Sequence, residues 1–125
     1  MKIAVFGNSN IVMMFNQIRL NLPEDDFVFL AMGGSPSPSS LFQLLLNLER
    51  LKGFDIAIIE PIVIDFHSFK TEAQLRELNC HVTRFIARLV SINIHPVLVV
   101  LPPTPNAKED SSVSFIWKSS VAKAG

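Results

Sequence analysis

A serine at a strand-to-helix corner, a glycine turn and an acid–imidazole segment are the parts of this 125-residue chain suited to chemistry. Lys2-Ile3-Ala4-Val5-Phe6 runs straight into Gly7-Asn8-Ser9-Asn10, and Ile11 then opens a helical pattern. A short apolar strand turning sharply into a helix lifts Ser9 out at the carboxyl end of the strand, against the positive end of the helix. Unpaired backbone N–H groups there stabilise an alkoxide or a tetrahedral oxyanion. The plainer role for Ser9 or Asn10 at such a corner is to cap the helix. Gly33-Gly34-Ser35 offers a second set of free N–H groups, and Glu60 through Asp65 to His67 a third cluster of polar groups.

The elements that must position these residues are legible from the apolar pattern. Residues 2–6, 27–31, 54–60 and 97–101 read as strands, and the last three are nearly continuous apolar runs, as in a parallel sheet buried on both faces. Helical spacing marks residues 10–21, 38–52, 72–92 and about 108–122. Pro38 suits a first turn, Gly53 a stop, and Thr71 with Gln74 has capping-box spacing. The order β-α-β-α-β-α-β-α predicts a doubly wound α/β sheet with right-handed crossovers. Loops after its strands gather along one edge, where ligands bind. Gly7–Asn10, Gly33–Ser37, Glu60–His67 and Pro102–Asn106 would then share one cleft.

Composition narrows the classes. The chain is 49% hydrophobic and its formal charge is zero, so no basic excess points to nucleic acid or to an anionic membrane. Cys80 is alone and forms no internal disulfide. Residues 3–6 are too short for a signal-peptide core, and Asp55, Glu60 and Asp65 interrupt the most hydrophobic region, which predicts a soluble, cytoplasmic protein. Cys80-His81 lacks the spaced partners of a zinc site, and the first turn lacks G-x-G-x-x-G and P-loop lysine signatures. The glycine turn could cradle a phosphate, but no Lys or Arg lies in it. Met13, Met14 and Met32 read as core filling.

With these loops in place the chain resembles the SGNH/GDSL hydrolases, esterases and acyl hydrolases on a flavodoxin-like α/β/α sheet of strand order 2-1-3-4. The resemblance covers about residues 2–106. Phe6-Gly7-Asn8-Ser9-Asn10 looks like the family's first block, with Asn8 in place of the usual Asp, which implies Ser9 as nucleophile. Gly34, or alternatively Gly33, looks like the glycine whose N–H joins that of Ser9 in an oxyanion hole. Residues 59–65 look like the third block, which normally ends in Asn-Asp. The resemblance implies hydrolysis of an acyl ester, including an acetyl ester on a carbohydrate, with no metal or organic cofactor.

Two departures bear on that activity. Ile64 stands where the family's Asn donates to the oxyanion, and loss of one such donor costs about 10²–10³ in rate. The family's Asp-x-x-His segment has no counterpart, since no His follows His95 and no acidic residue follows Asp110. A serine without a base is a poor nucleophile. Asp65 and His67 are the local candidates; Asp65 also suits a turn or a cap, and His67 a solvated loop. His81, mid-helix, and His95, at the opposite edge, do not suit catalysis. Residues 1–125 are therefore expected to form one α/β domain, incomplete at its C-terminus relative to the family. Alone it is expected to be nearly inactive and to self-associate through an exposed edge at residues 97–101. The rival readings are a non-catalytic binding or assembly module on the same sheet and an inactive truncated hydrolase.

Overall fold

In the computed structural model, residues 1–21, 26–31, 36–101 and 112–124 are described. The elements run β1 (Lys2–Gly7), α1 (Ser9–Asn21), β2 (Asp26–Phe29), α2 (Ser37–Leu46), β3 (Ile56–Glu60), α3 (Ile62–Ser68), α4 (Glu72–Ser91), β4 (His95–Leu98) and α5 (Ser112–Ala124). All four strands are parallel, in the order β2-β1-β3-β4. This is the predicted sheet. Its strand order reverses direction between β1 and β3, which sit side by side with Gly7 opposite Glu60.

Alternation along β1 divides the interior into two cores. Ala4 and Phe6 face a core built with Leu44 of α2, Leu78, Val82, Phe85 and Leu89 of α4, and Val113 and Trp117 of α5. Ile3 and Val5 face the other way, onto Ile11 and Phe15 of α1. The sheet is thus the middle of three layers. Phe6 meets the edge of Phe85 at 5.1 Å between ring centres, and Phe85 meets Trp117 at 6.0 Å. Edge-on ring pairs of this kind add about 0.5–1.5 kcal/mol each beyond the area they bury.

The α4 start follows its sequence signature. Thr71 Oγ1 accepts from the Gln74 N–H and Gln74 Oε1 accepts from the Thr71 N–H, a closed capping box. Four other features differ from the sequence reading. The helical pattern at 38–52 yields a helix only to Leu46, because Asn47 Nδ2 donates to the Gln43 carbonyl at 2.7 Å. The Asn47 N–H then turns to Leu44 instead, and the helix tightens and ends. Residues 62–68, read as loop, form the short helix α3: Pro61 cannot extend the β3 ladder, and its backbone is helical. Met13 is exposed and Met14 only half-buried, so neither is core filling as expected; Met32 lies outside the described residues.

The fourth difference is at the open edge. The strand spans His95–Leu98 rather than 97–101, and Pro96 lies within it. The N–H groups of His95 and Val99 point to β3, bonding to the carbonyls of Asp55 and Ile59. By alternation, residues 96 and 98 face outward, so the missing proline N–H falls on the free side. Pro96 blunts the edge that the apolar run seemed to leave open.

One residue fixes how closely β1 and β3 meet at their carboxyl ends. Gly7 has φ +144°, and a Cβ there would lie 2.5 Å from the Glu60 carbonyl oxygen and 3.0 Å from Ile11. Gly7→Ala is expected to destabilise the protein by about 2–4 kcal/mol, from backbone strain plus the clash with main chain. Urea unfolding checks this. A variant with an unchanged midpoint would mean that β1 and β3 do not approach as described.

Candidate active site at the β1–β3 edge

Ser9 is the first residue of α1, directly beyond the carboxyl end of β1. The cap of that helix is Asn8. Its Oδ1 accepts from the Asn10 N–H at 3.0 Å, its Nδ2 donates to the Glu60 carbonyl at 3.4 Å, and its side chain is buried. The capping role open to Ser9 or Asn10 from the sequence is filled by their neighbour. Asn8 also ties the corner to the end of β3. Asn8 therefore has a structural duty that an amide performs with both of its ends.

Across the corner, Glu60 is fully buried at the last position of β3, and Asp65 is fully buried one turn into α3. Asp65 is the hub of this edge. Oδ1 accepts the Ser37 backbone N–H at 2.9 Å, and Oδ2 accepts the Ser37 hydroxyl and, at 2.9 Å, the Trp117 indole N–H. Ser37 opens α2, whose own N-cap, Pro36, makes no side-chain cap. The carboxylate of Asp65 supplies that cap from another helix, placing an acceptor at the positive end of α2. Three elements, α2, α3 and α5, are pinned to one carboxyl group.

Burial pushes the Asp65 pKa above its ordinary 3.8, opposed by the Ser37 hydroxyl, the Ser37 N–H, the Trp117 indole and the positive charge of His81. Desolvation prevails because taking a carboxylate out of water costs more than these donors return.

His67 lies in the last turn of α3, exposed, with its ring edge-on to Phe66 at 5.4 Å. It does not share a hydrogen bond with Asp65, whose described partners are Ser37 and Trp117. Ile64 precedes Asp65 in the same helix, and His67 is one turn further, on the side of α3 that residue 64 occupies. His81 is half-buried on α4 with Nε2 3.8 Å from Glu77. His95 is exposed at the start of β4, at the opposite end of the strands, as expected. Gly33 and Gly34, the oxyanion candidates, lie outside the described residues. Among the described residues no group of three or more His, Cys, Asp or Glu is arranged to hold a metal ion. No described helix is long and apolar enough to cross a membrane.

The roles of Ser37 and Trp117 were missed in the sequence. The signal for Trp117 was there: a tryptophan on the apolar side of a helix brings an N–H that must find an acceptor. The nearest such acceptor in a hydrophobic interior is a buried acid, and Asp65 is the one.

No family model and no curated protein sequence matches the chain. Solved structures match over nearly its whole length. The psychrotrophic esterase EstA from Pseudoalteromonas sp., described with monoethylphosphonate as inhibitor, is 14% identical with TM-score 0.68, covering 98% of this chain and 70% of that one. The acetyl xylan esterase AlAXEase is 16% identical with TM-score 0.63, covering 99% of this chain and 74% of that one. A GDSL-like lipase from Bacteroides thetaiotaomicron is 12% identical with TM-score 0.64, covering 98% and 61%.

The Asp65 knot makes a pH prediction. A carboxyl more protonated when folded than when unfolded makes the folded state bind more protons. Its contribution to stability is full below pH 3.8, is lost as pH rises through the raised folded value, and is level above it. Asp65→Asn removes that titration. The stability of the variant minus that of the parent, from urea unfolding at a series of pH values, is expected to rise across this window and then flatten. A pH-independent difference would contradict the raised pKa.

Proposed function

Because the chain has the fold of the SGNH/GDSL esterases and lipases, we propose that it acts on acyl esters, with Ser9 as the nucleophile at the β1–β3 edge. The observation that carries this reading is the corner itself. Gly7 brings the two strand ends together, Asn8 takes over the cap, and residue 9 follows at the start of α1. A serine at that position adds to a carbonyl while the first N–H groups of the helix face the charge that develops. Gly34, or Gly33, supplies a further N–H in the same reading. Ser9 Oγ bonds to the acyl carbon, its proton passes to a base, the alcohol leaves, and water releases the acid. His67 is the base candidate on α3. Short acyl groups, acetyl among them, are the favoured substrates, in keeping with the acetyl xylan esterase among the structures of this fold.

Turnover in this arrangement is slow. The carboxyl group of Asp65 is committed to Ser37 and Trp117 and does not orient an imidazole. A triad without its orienting or accepting partner loses about 10⁴ or more in rate. That same commitment favours a second reading, a binding module that holds an acyl ester without cleaving it.

Hydrolysis of 4-nitrophenyl acetate separates the two. Ser9→Ala is expected to reduce turnover to the buffer rate, and His67→Ala to lower it by about tenfold or more. Ile64→Asn is expected to raise it by about tenfold, by restoring an oxyanion donor. Turnover unaffected by Ser9→Ala would remove the nucleophile. No turnover in any variant, with saturable binding of the ester, would leave the binding module.

A further inference from the structure

Helices α4 and α5 pack side by side on one face of the sheet and leave a groove of about 680 Å³ between their outer surfaces. That volume is within the range of small-molecule sites, about 300–1,000 Å³. On α4, Ile86 is buried at the base of the groove and Val90 is 42% exposed above it, with the polar Asn79, Thr83 and Ser91 on the same wall. Phe115 of α5 stands 70% exposed at the groove. Phe115 and Val90 together present apolar surface to water along the groove.

The α5 side has a different character. Ser119, Ser120 and Lys123 line it together, with Lys123 one helical turn beyond both serines. Among the described residues, Lys123 makes no ion pair and no carboxylate lines the groove. Ile86, Val90 and Phe115 therefore offer a surface for hydrocarbon, and Lys123 with Ser119 and Ser120 offers an ammonium and two hydroxyls to an anion. The lining on α4 runs from Asn79 to Ser91, about three turns, which accommodates an extended chain lengthwise.

We propose that this groove binds a single-chain anionic amphiphile of the fatty-carboxylate class. Its head sits at Lys123 and the two serines, and its chain lies along Ile86, Val90 and Phe115. The charge match selects this occupant over a neutral chain, and the length of the groove with Ile86, Val90 and Phe115 along it selects it over a short anion. The site is separate from the strand edge that carries Ser9, and it does not rest on the ester-hydrolase reading.

Isothermal titration of the 125-residue protein with sodium dodecanoate, below its micelle concentration, tests the proposal. Saturable binding of one dodecanoate per chain is expected, with no binding of acetate and weaker binding of dodecyl maltoside. Each methylene removed from the chain is expected to weaken binding by up to about fourfold. Lys123→Glu is expected to weaken dodecanoate about tenfold, by turning attraction into repulsion at an exposed site. Phe115→Ser is expected to weaken it by a similar factor. Both residues are exposed, so circular dichroism is expected to show the parent fold. Ser9→Ala is expected to bind as the parent does. Four results would overturn the proposal: binding unchanged by both groove variants, binding lost in Ser9→Ala, non-saturating detergent-like uptake, or a dimer through this face that dodecanoate does not dissociate.

Discussion

The carbonyl oxygen of Glu60 sits where a side chain on residue 7 would have to go. With glycine there, at φ +144°, β1 and β3 run together to their last residues, and the chain can turn at once into α1. Everything at the carboxyl edge follows from that contact. Asn8 reaches the same carbonyl and caps the helix, so the corner is held by its first two residues and α1 opens at the third. The two strands are also where the sheet reverses its winding, the place at which open α/β sheets bind ligands.

Asp65 provides the second constraint. A buried carboxyl group is tolerable only with donors around it, and here they come from two other helices. The contact joins the beginning of α2 to α3, which follows β3, and to α5 across the core. From β1 the packing runs through Phe6, Phe85 and Trp117 to the same carboxyl. The loop side of the sheet and its hydrophobic interior are thus mechanically connected. That economy has a chemical consequence: an acid employed in holding three helices is not at the disposal of an imidazole. His67, on the same short helix, faces water instead.

The sheet was readable because its strands are short apolar runs separated by helical periodicity, and that pattern admits few topologies. The Thr71–Gln74 capping box was equally plain, since both partners lie within four residues. Two of the features that escaped were decided by partners far apart in the chain, and two by local sequence that pointed the other way. Asn8 as cap rather than Ser9 depends on Glu60, 52 residues away. Asp65 looked like a turn former or a triad acid because Ser37 and Trp117 lie 28 and 52 residues from it. Helix α3 was hidden by Ile62-Val63-Ile64, a β-branched run with low helical preference that follows Pro61. The end of β4 at Leu98 was hidden by the apolar residues that continue beyond it.

The central claim is that residue 9 is a nucleophile held at the β1–β3 edge. Treatment with an alkyl fluorophosphonate, followed by peptide mapping by mass spectrometry, tests it most directly, because the reagent records the attacking oxygen even where turnover is slow. The account predicts one adduct, on the peptide containing Ser9, accumulating faster as pH rises and absent from Ser9→Ala. An adduct confined to another residue such as Ser37, or one that forms equally in Ser9→Ala, would contradict it.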